Sequence, residues 1–201
     1  MKLYYAPSAC SLSPHIVLRE LDLPFTAVRV DLASKRTADG LDLRAINPKG
    51  AVPTLRLESG DVLTEGGAIV QFLADQVPGT PLMPPVGTLA RFRVQEALNF
   101  IAAELHKAFS PLFSPATADD ARAAARTNVE AKLGMVEAML ADGREHIAGG
   151  DFSPGDAYLF TVARWAPMVG IPLDAWPALK AHNARIAARP AVVAALAAEA
   201  A

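Results

Sequence analysis

The sequence predicts an α/β domain over residues 1–78, a linker over 79–87 and an all-α domain over 88–201. Three observations support this division. Strand-like and helix-like segments alternate only before residue 78. The linker is dense in proline and glycine, which interrupt helices. Beyond the linker, apolar residues recur at helical spacing almost to the C-terminus.

The α/β domain is predicted to have the element order βαβαββα. Strands are expected at residues 2–6, 25–31, 54–58 and 62–64, and helical segments at 11–21, 41–46 and 66–76. β-Branched and aromatic residues favour the strands, whereas apolar residues at helical spacing favour the helices. The last two strands are expected to form a hairpin, because the turn-forming sequence Ser59-Gly60-Asp61 separates them.

The all-α domain is predicted to contain long helices at residues 88–109, 119–144 and 154–168, followed by two shorter ones. The third begins with a capping motif, in which Ser153 is the N-cap and Pro154 the first helical residue. Asp156 lies three residues after the cap, as in a capping box. This motif is expected to be structural, and its loss should cost about 1 to 2 kcal/mol of stability.

The composition indicates a globular protein whose partners are neither nucleic acid nor membrane. The chain has 201 residues, of which 52% are hydrophobic, so it can bury a substantial core. Its formal charge is −2, and its 19 Lys and Arg residues are spread along the chain, which argues against nucleic acid. Neither a signal peptide nor an apolar stretch of about 18 residues is visible, and a cytoplasmic protein is expected.

Cys10 is the single cysteine, which excludes an internal disulfide and fits a reducing compartment. It precedes the first helix, where aligned peptide dipoles are expected to lower the pKa of its thiol and to make thiolate available. Ser13 stands where a Cys-x-x-Cys motif has its second cysteine, so any disulfide chemistry must pass through a mixed disulfide. The alternative is a small buried filler residue.

The run from Asn47 to Leu55 predicts an edge that binds an extended peptide. Pro53 cannot donate a backbone hydrogen bond and holds Val52 extended, so Val52 is expected to keep free backbone groups. If the bond between these two residues is cis, the N–H and C=O of Val52 face an extended ligand, as in strand addition. The alternative is an ordinary turn and strand.

A candidate anion site lies at the start of the next helix. Glu65, Gly66 and Gly67 precede or begin an apolar helical pattern, so free N–H groups at the two glycines are expected to bind a carboxylate. Glu65 can take an ammonium group, which completes a site for a zwitterionic amino-acid end. The alternative is an N-capped helix without a ligand.

The segment from Ala6 to His15 reads Ala-Pro-Ser-Ala-Cys-Ser-Leu-Ser-Pro-His. It resembles the Ser-Pro-x-x-Cys-Ser-Leu-Ser-Pro-His motif of bacterial beta class glutathione S-transferases, and differs mainly in its first positions. The element order resembles a thioredoxin-like domain, and the whole chain resembles the cytosolic glutathione S-transferases. The resemblance implies a thioredoxin-like domain that binds glutathione, an all-helical domain that carries the electrophile site, and a homodimer.

The resemblance also implies candidate catalytic residues. Cys10 matches the cysteine of the beta class motif. Tyr5 and Ser11 occupy places where other classes keep a hydroxyl that hydrogen-bonds the glutathione sulfur and stabilises its thiolate. The alternatives are a half-buried strand aromatic for Tyr5 and a cap of the first helix for Ser11.

Asn99, His106 and Lys107 lie on the long helix after the linker. The seven-residue spacing is expected to place Asn99 and His106 on nearly the same face of an α-helix. The resemblance implies that His106 and Lys107 lie near the sulfur and the electrophile, where a cation or donor favours negative charge. It also implies that Asn99 contacts glutathione across a subunit interface. For His106 the alternative is a structural histidine.

Further glutathione contacts are implied by the same resemblance. Lys35 matches a contact to the glycyl unit, although an exposed loop lysine is otherwise a solvated charge. Val52, beside Pro53, matches the backbone contact to the cysteinyl unit, and Glu65 matches a γ-glutamyl contact. Gly66 departs from the family, which most often has serine there. The missing hydroxyl bond to the γ-glutamyl carboxylate should cost about 1 kcal/mol of binding.

The sequence is therefore interpreted as a glutathione S-transferase that conjugates the glutathione thiolate to small hydrophobic electrophiles. Residues 109–113 and 165–169 are expected to line the electrophile pocket. Thiol-disulfide chemistry through Cys10 is a second expected activity. The alternative is a non-catalytic scaffold that binds glutathione or hydrophobic molecules. No metal is expected, because the four histidines lack the spacing of paired ligands.

Overall fold

The computed structural model of the chain describes residues 1–200. They form two compact units, of which the first comprises Met1–Thr80 and the segment from Arg189 onward, and the second comprises Pro81–Ala188. The boundary at residue 80 falls within the predicted linker. The helical pattern predicts the last helix as part of the all-α domain, whereas the structure packs this helix into the first unit.

A mixed five-stranded sheet with the strand order β3-β2-β1-β4-β5 forms the centre of the first unit. The strands are β1 Lys2–Tyr5, β2 Thr26–Asp31, β3 Arg36–Thr37, β4 Thr54–Arg56 and β5 Val62–Thr64. β1 pairs in parallel with β2, and the other three neighbouring pairs are antiparallel. The predicted hairpin of β4 and β5 is confirmed. The two-residue β3 is too short to produce a sequence pattern, so no strand is predicted at these positions.

The α-helices of the described residues are α1 Leu12–Glu20, α2 Gly66–Ala74, α3 Leu89–Phe100, α4 His106–Phe113, α5 Asp119–Leu140, α6 Pro154–Ala163, α7 Trp165–Met168, α8 Pro177–Ala187 and α9 Pro190–Ala200. A π-helical segment, Ile101–Leu105, joins α3 to α4, so the helix predicted at 88–109 is not a single α-helix. The helix predicted at 154–168 is two helices, α6 and α7. Within residues 1–200, no helix has the length and apolar character needed to cross a membrane.

Helix α1 is buried on all its faces over residues 12–18. Helix α9 packs against α1, and it therefore belongs to the first unit. Every residue from Leu12 to Leu18 is buried, including His15. Nδ1 of His15 lies 3.0 Å from Oε1 of Glu199 on α9, and both side chains are in the interior. Because buried polar groups need partners, this pair fixes α9 against α1. The second carboxylate oxygen of Glu199 accepts a hydrogen bond from the N–H of Ser8 at 3.2 Å.

The predicted capping motif is present at the start of α6. Oδ2 of Asp156 accepts from the N–H of Ser153 at 2.9 Å and from its hydroxyl at 2.8 Å. Oδ1 of Asp156 accepts from the N–H of Ile147 at 2.7 Å and lies 2.8 Å from Nε2 of His182 on α8. Burial raises the pKa of the Asp156 carboxyl, but the hydrogen bond and charge of His182, together with the other donors, leave it below its ordinary value. The motif therefore joins α6 to a loop and to α8.

Candidate functional site

Cys10 and Val52 come together in the first unit, although 42 residues separate them in the chain. The Val52-Pro53 peptide bond is cis. The thiol of Cys10 donates a hydrogen bond to the carbonyl of Val52, with a distance of 3.2 Å between Sγ and oxygen. The expectation that Val52 keeps both of its backbone groups free is therefore wrong for its carbonyl, which the sequence could not show because the contact is tertiary.

The loop that carries Cys10 is held by Ser11. The Ser11 hydroxyl accepts from the N–H of Ala6 at 3.1 Å and donates to the carbonyl of the same residue at 3.2 Å. It is completely buried and makes no side-chain cap of α1, so the alternative of a capping serine is wrong. Cys10 stands two residues before the first residue of α1, as the sequence analysis expects, and is half-buried.

Helix α2 begins at the residues of the predicted anion site. The N–H groups of Ala68 and Ile69 make the first bonds of the helix, to the carbonyl of Glu65. The N–H groups of Gly66 and Gly67 precede these bonds, and such groups have no partner within a helix. Glu65 has a φ of +68°, a positive value that is uncommon for a residue with a side chain.

Lys49 lies beside the candidate site residue Glu65, and its sequence position did not indicate this contact. Its ammonium lies 2.6 Å from Oε1 of Glu65 and donates to the hydroxyl of Thr64 at 3.1 Å. The predicted ammonium-binding carboxylate thus already has a cation beside it. Both side chains are more than half exposed, so water screens the pair and it contributes little to stability. Only the fold brings these residues together, since 16 positions separate them.

Lys35 also has a left-handed backbone, with a φ of +62°. Its N–H donates to the carbonyl of Asp31 at 2.8 Å, and its carbonyl accepts from the N–H of Leu43 at 2.8 Å. Its side chain is half-buried. The loop after β2 is therefore an ordered turn, and it holds Lys35 within the first unit.

His106 lies in an aromatic cluster of the second unit. Nδ1 of His106 is 2.7 Å from the hydroxyl of Tyr158, and its ring centroid is 4.8 Å from that of Trp165. The ring of Trp165 also contacts Phe109 and Phe113, with centroid distances of 5.7 and 5.6 Å. The stretches 109–113 and 165–169, which the sequence analysis selected as pocket walls, thus meet in space.

The imidazole of His106 is uncharged near neutral pH. Burial lowers its pKa, and the neighbouring charge of Lys107 lowers it further, to about 4. Of the two roles considered for this histidine, cation or donor, the structure favours a neutral hydrogen-bonding group.

The π-helical segment changes the expected relation between Asn99 and His106. It adds about one residue to a helical turn, so the position two turns after Asn99 is Lys107 instead of His106. Consistent with this shift, Asn99 and Lys107 are both exposed, whereas His106 is half-buried. The expectation that Asn99 and His106 share a face is therefore wrong, because it assumed an unbroken α-helix.

Comparison with known proteins gives the family. A family model of the glutathione S-transferase N-terminal domain matches residues 7–76, and a model of the corresponding C-terminal domain matches residues 100–190. Glutathione S-transferase GstA of Escherichia coli O157:H7 is 50% identical over 200 residues, which cover 99% of this chain and 98% of that protein. The chain belongs to the glutathione S-transferase family.

Solved structures of related proteins support the assignment of this transferase to the family. A ternary complex of BphK, a bacterial enzyme of this family, superposes with a TM-score of 0.97 at 51% identity and covers 100% of both chains. A sphingomonad glutathione S-transferase complexed with glutathione gives a TM-score of 0.96 at 50% identity, covering 100% of this chain and 99% of that chain. A beta class enzyme of Sphingomonas chungbukensis also gives 0.96, at 49% identity, covering 99% and 98%. The predicted fold class, beta class resemblance and enzyme class are confirmed.

Proposed function

We propose that this transferase holds glutathione extended along Val52, with its thiol beside Cys10 and its γ-glutamyl end at the start of α2. The proposal rests on the 3.2 Å contact between Cys10 and the Val52 carbonyl, which brings the candidate cysteine to the predicted peptide-binding edge. It is supported by the glutathione bound to the sphingomonad relative, which is 50% identical to this chain.

Each part of glutathione has a matching group in the first unit. The Val52 carbonyl accepts a peptide N–H of the cysteinyl unit, which takes over the bond now made by the Cys10 thiol. The γ-glutamyl carboxylate lies at the N–H groups of Gly66 and Gly67, and its ammonium pairs with Glu65. Lys35 pairs with the glycyl carboxylate. Because Lys49 already pairs with Glu65, the ligand ammonium competes with it for that carboxylate.

The proposed reaction is attack of the glutathione thiolate on a small hydrophobic electrophile. A carbon–sulfur bond forms, and the electrophile either loses a leaving group or takes a proton at the neighbouring atom. Among the side chains near the glutathione sulfur, we assign the main role to Cys10 and a secondary role to Tyr5. Ser11 holds the loop, since both of its hydrogen bonds are made to Ala6. His106 polarises the electrophile as a neutral donor, and the aromatic cluster around it accommodates hydrophobic molecules.

A second candidate activity is the reduction of mixed disulfides. The Cys10 thiolate attacks a glutathionylated thiol, which leaves as the free thiol while a disulfide forms between Cys10 and glutathione. A second glutathione thiolate then releases Cys10 and forms oxidised glutathione. The half-buried position of Cys10 beside the Val52 edge favours this candidate over a buried filler role.

Homodimer formation is proposed from the family resemblance, with Asn99 and Lys107 contacting glutathione near the subunit interface. Exposed apolar side chains on α3 and α5, such as Phe92 at 57% and Met135 at 46%, support an additional protein contact on the second unit. The single thiol and the glutathione co-substrate suit a reducing compartment, so the cytoplasm is the proposed location.

One experiment tests the proposed function directly. The purified protein is applied to immobilised glutathione, its intact mass is measured without reductant, and its turnover is assayed with a panel of hydrophobic electrophiles. We expect retention, a mass increase of one glutathione on Cys10 after exposure to oxidised glutathione, and conjugation of at least part of the panel. Retention without conjugation of any electrophile would instead support the non-catalytic scaffold.

The Gly66→Ser variant is expected to bind glutathione about fivefold more tightly. The added hydroxyl donates to the γ-glutamyl carboxylate, and one such bond contributes about 1 kcal/mol. Isothermal titration calorimetry with reduced glutathione gives the dissociation constant.

Two matched variants control this measurement. Gly66→Ala changes the backbone entropy at the same position without a hydroxyl, and Gly67→Ser adds a hydroxyl where a side chain meets no atom within 4 Å. An equal gain in affinity for Gly66→Ala would show that helix stability is the cause, and the assignment of the carboxylate to Gly66 would fail.

A further inference from the structure

The hydroxyl of Tyr158 lies 2.7 Å from Nδ1 of His106, which comes 52 residues earlier in the chain. Tyr158 is on α6, His106 begins α4, and the two rings are perpendicular with their centroids 6.0 Å apart. The tyrosine is only 4% exposed. A buried phenol at this distance from an imidazole makes a specific hydrogen bond, and it does so with the histidine to which we assign a role in the reaction.

Both rings are held firmly. Tyr158 follows Asp156 by two residues, and Asp156 anchors the start of α6 through four contacts. The ring of Trp165 also contacts His106, with a centroid distance of 4.8 Å and an interplanar angle of 70°. The imidazole therefore contacts two aromatic rings, and its rotation would break the bond to the phenol.

The chemistry of the two groups decides which of them donates. A neutral imidazole nitrogen is a good acceptor, whereas a phenol oxygen is a good donor and a weaker acceptor. The phenol therefore donates to Nδ1, which must be unprotonated. In a neutral imidazole the proton then resides on Nε2. Among residues 1–200, no protein group is found in hydrogen-bond contact with Nε2 of His106.

We infer that Tyr158 is a positioning residue, whose hydroxyl fixes His106 as the tautomer that carries its proton on Nε2 and so keeps a hydrogen-bond donor for the bound electrophile. This inference rests on the role of His106 under the proposed function. No proton is transferred in this step. The N–H donates to negative charge as it develops, and the fixed tautomer removes the need to reorganise during the reaction.

The tautomer can be measured directly in the whole protein. Long-range ¹H–¹⁵N correlation spectra at pH 7 distinguish the two nitrogens of His106, with His106→Ala used to assign its signals. We expect a single neutral form protonated on Nε2 in the wild type. We expect a mixture of both tautomers in Tyr158→Phe, which keeps the ring and removes the hydroxyl. A wild-type form protonated on Nδ1, or an unchanged tautomer in Tyr158→Phe, would overturn the inference.

Kinetics separate positioning from a structural role. For conjugation of a dinitrophenyl halide, Tyr158→Phe should lower kcat about fivefold, as expected for one hydrogen bond, with the KM for glutathione within twofold. Tyr4→Phe, which removes the hydroxyl of a buried strand tyrosine, should leave both constants unchanged. An unchanged kcat in Tyr158→Phe with an altered tautomer contradicts the positioning role. An unchanged kcat in His106→Ala contradicts the role that the proposed function gives to His106, whereas the absence of any conjugation by the wild type contradicts the proposed function.

Discussion

The Cys10→Ala variant is expected to lose all glutathione-dependent disulfide reduction and to keep at least a tenth of its conjugating activity. Disulfide exchange requires a protein thiolate that forms the mixed disulfide, and Cys10 is the only cysteine of the chain. Conjugation uses the sulfur of glutathione, so the protein thiol acts only as a neighbour. Initial rates with a glutathionylated peptide and with a dinitrophenyl halide measure the two activities.

Cys10→Ser provides the matched control, because a hydroxyl can still donate to the Val52 carbonyl. It should resemble Cys10→Ala in disulfide reduction, and it should match or exceed it in conjugation. Equal loss of both activities in the two variants would contradict the division of labour, and it would make Cys10 essential for conjugation as well. Glutathione affinity, measured in parallel, shows whether either variant has lost its binding site instead.

Replacement of Asp156 by alanine is expected to destabilise the protein by about 3 to 5 kcal/mol. The change leaves the buried N–H groups of Ile147 and Ser153 without an acceptor and removes the partner of His182. Each unsatisfied buried group costs about 1 to 3 kcal/mol, and a domain has only about 5 to 15 kcal/mol of stability. Urea unfolding followed by far-ultraviolet circular dichroism at pH 7 gives the free energy of unfolding.

Asp142→Ala is the control, since Asp142 makes comparable hydrogen bonds to Arg144 but in solvent, where their effect is small. The pH dependence gives a second check. The pKa of Asp156 is lower in the folded than in the unfolded state, so its contribution is present above the ordinary carboxyl pKa and is lost as pH falls through the folded value. Wild type and Asp156→Ala should therefore converge in stability at acidic pH. A difference that stays constant down to pH 2 would contradict this account.

The fold was predictable from the sequence wherever local patterns decide it. Strand composition, the turn at 59–61 and the capping residues of α6 are all local signals, and the structure contains each of them. The π-helical segment and the packing of α9 depend on tertiary contacts. Ile101–Leu105 has the composition of an ordinary helix, and the apolar pattern of α9 does not reveal which unit it covers.

The residues of the candidate site, like the elements of the fold, could be predicted only where a local sequence pattern marks them. Cys10, Val52 and Gly66 were predicted as candidates because a lone cysteine, an X-Pro bond and a helix start each have a chemical signature. Lys49 was missed, since a lysine in a loop carries no sign of a carboxylate 16 positions later. Tyr158 was missed because it lies in a fully buried helix, where the sequence does not distinguish a functional aromatic residue from one that only packs in the core. Both depend on partners that only the folded chain supplies.

The burial of α1 under α9 has a consequence for biosynthesis. Because translation proceeds from the N-terminus, the sheet and α1 leave the ribosome long before the helix that begins at Pro190. Until α9 is synthesised, His15 lacks its partner Glu199, and one side of α1 is exposed to water or to a chaperone. Maturation of the first unit is thus a late event, which requires the segment that begins at Pro190 and joins residues far apart in the sequence in one folding step.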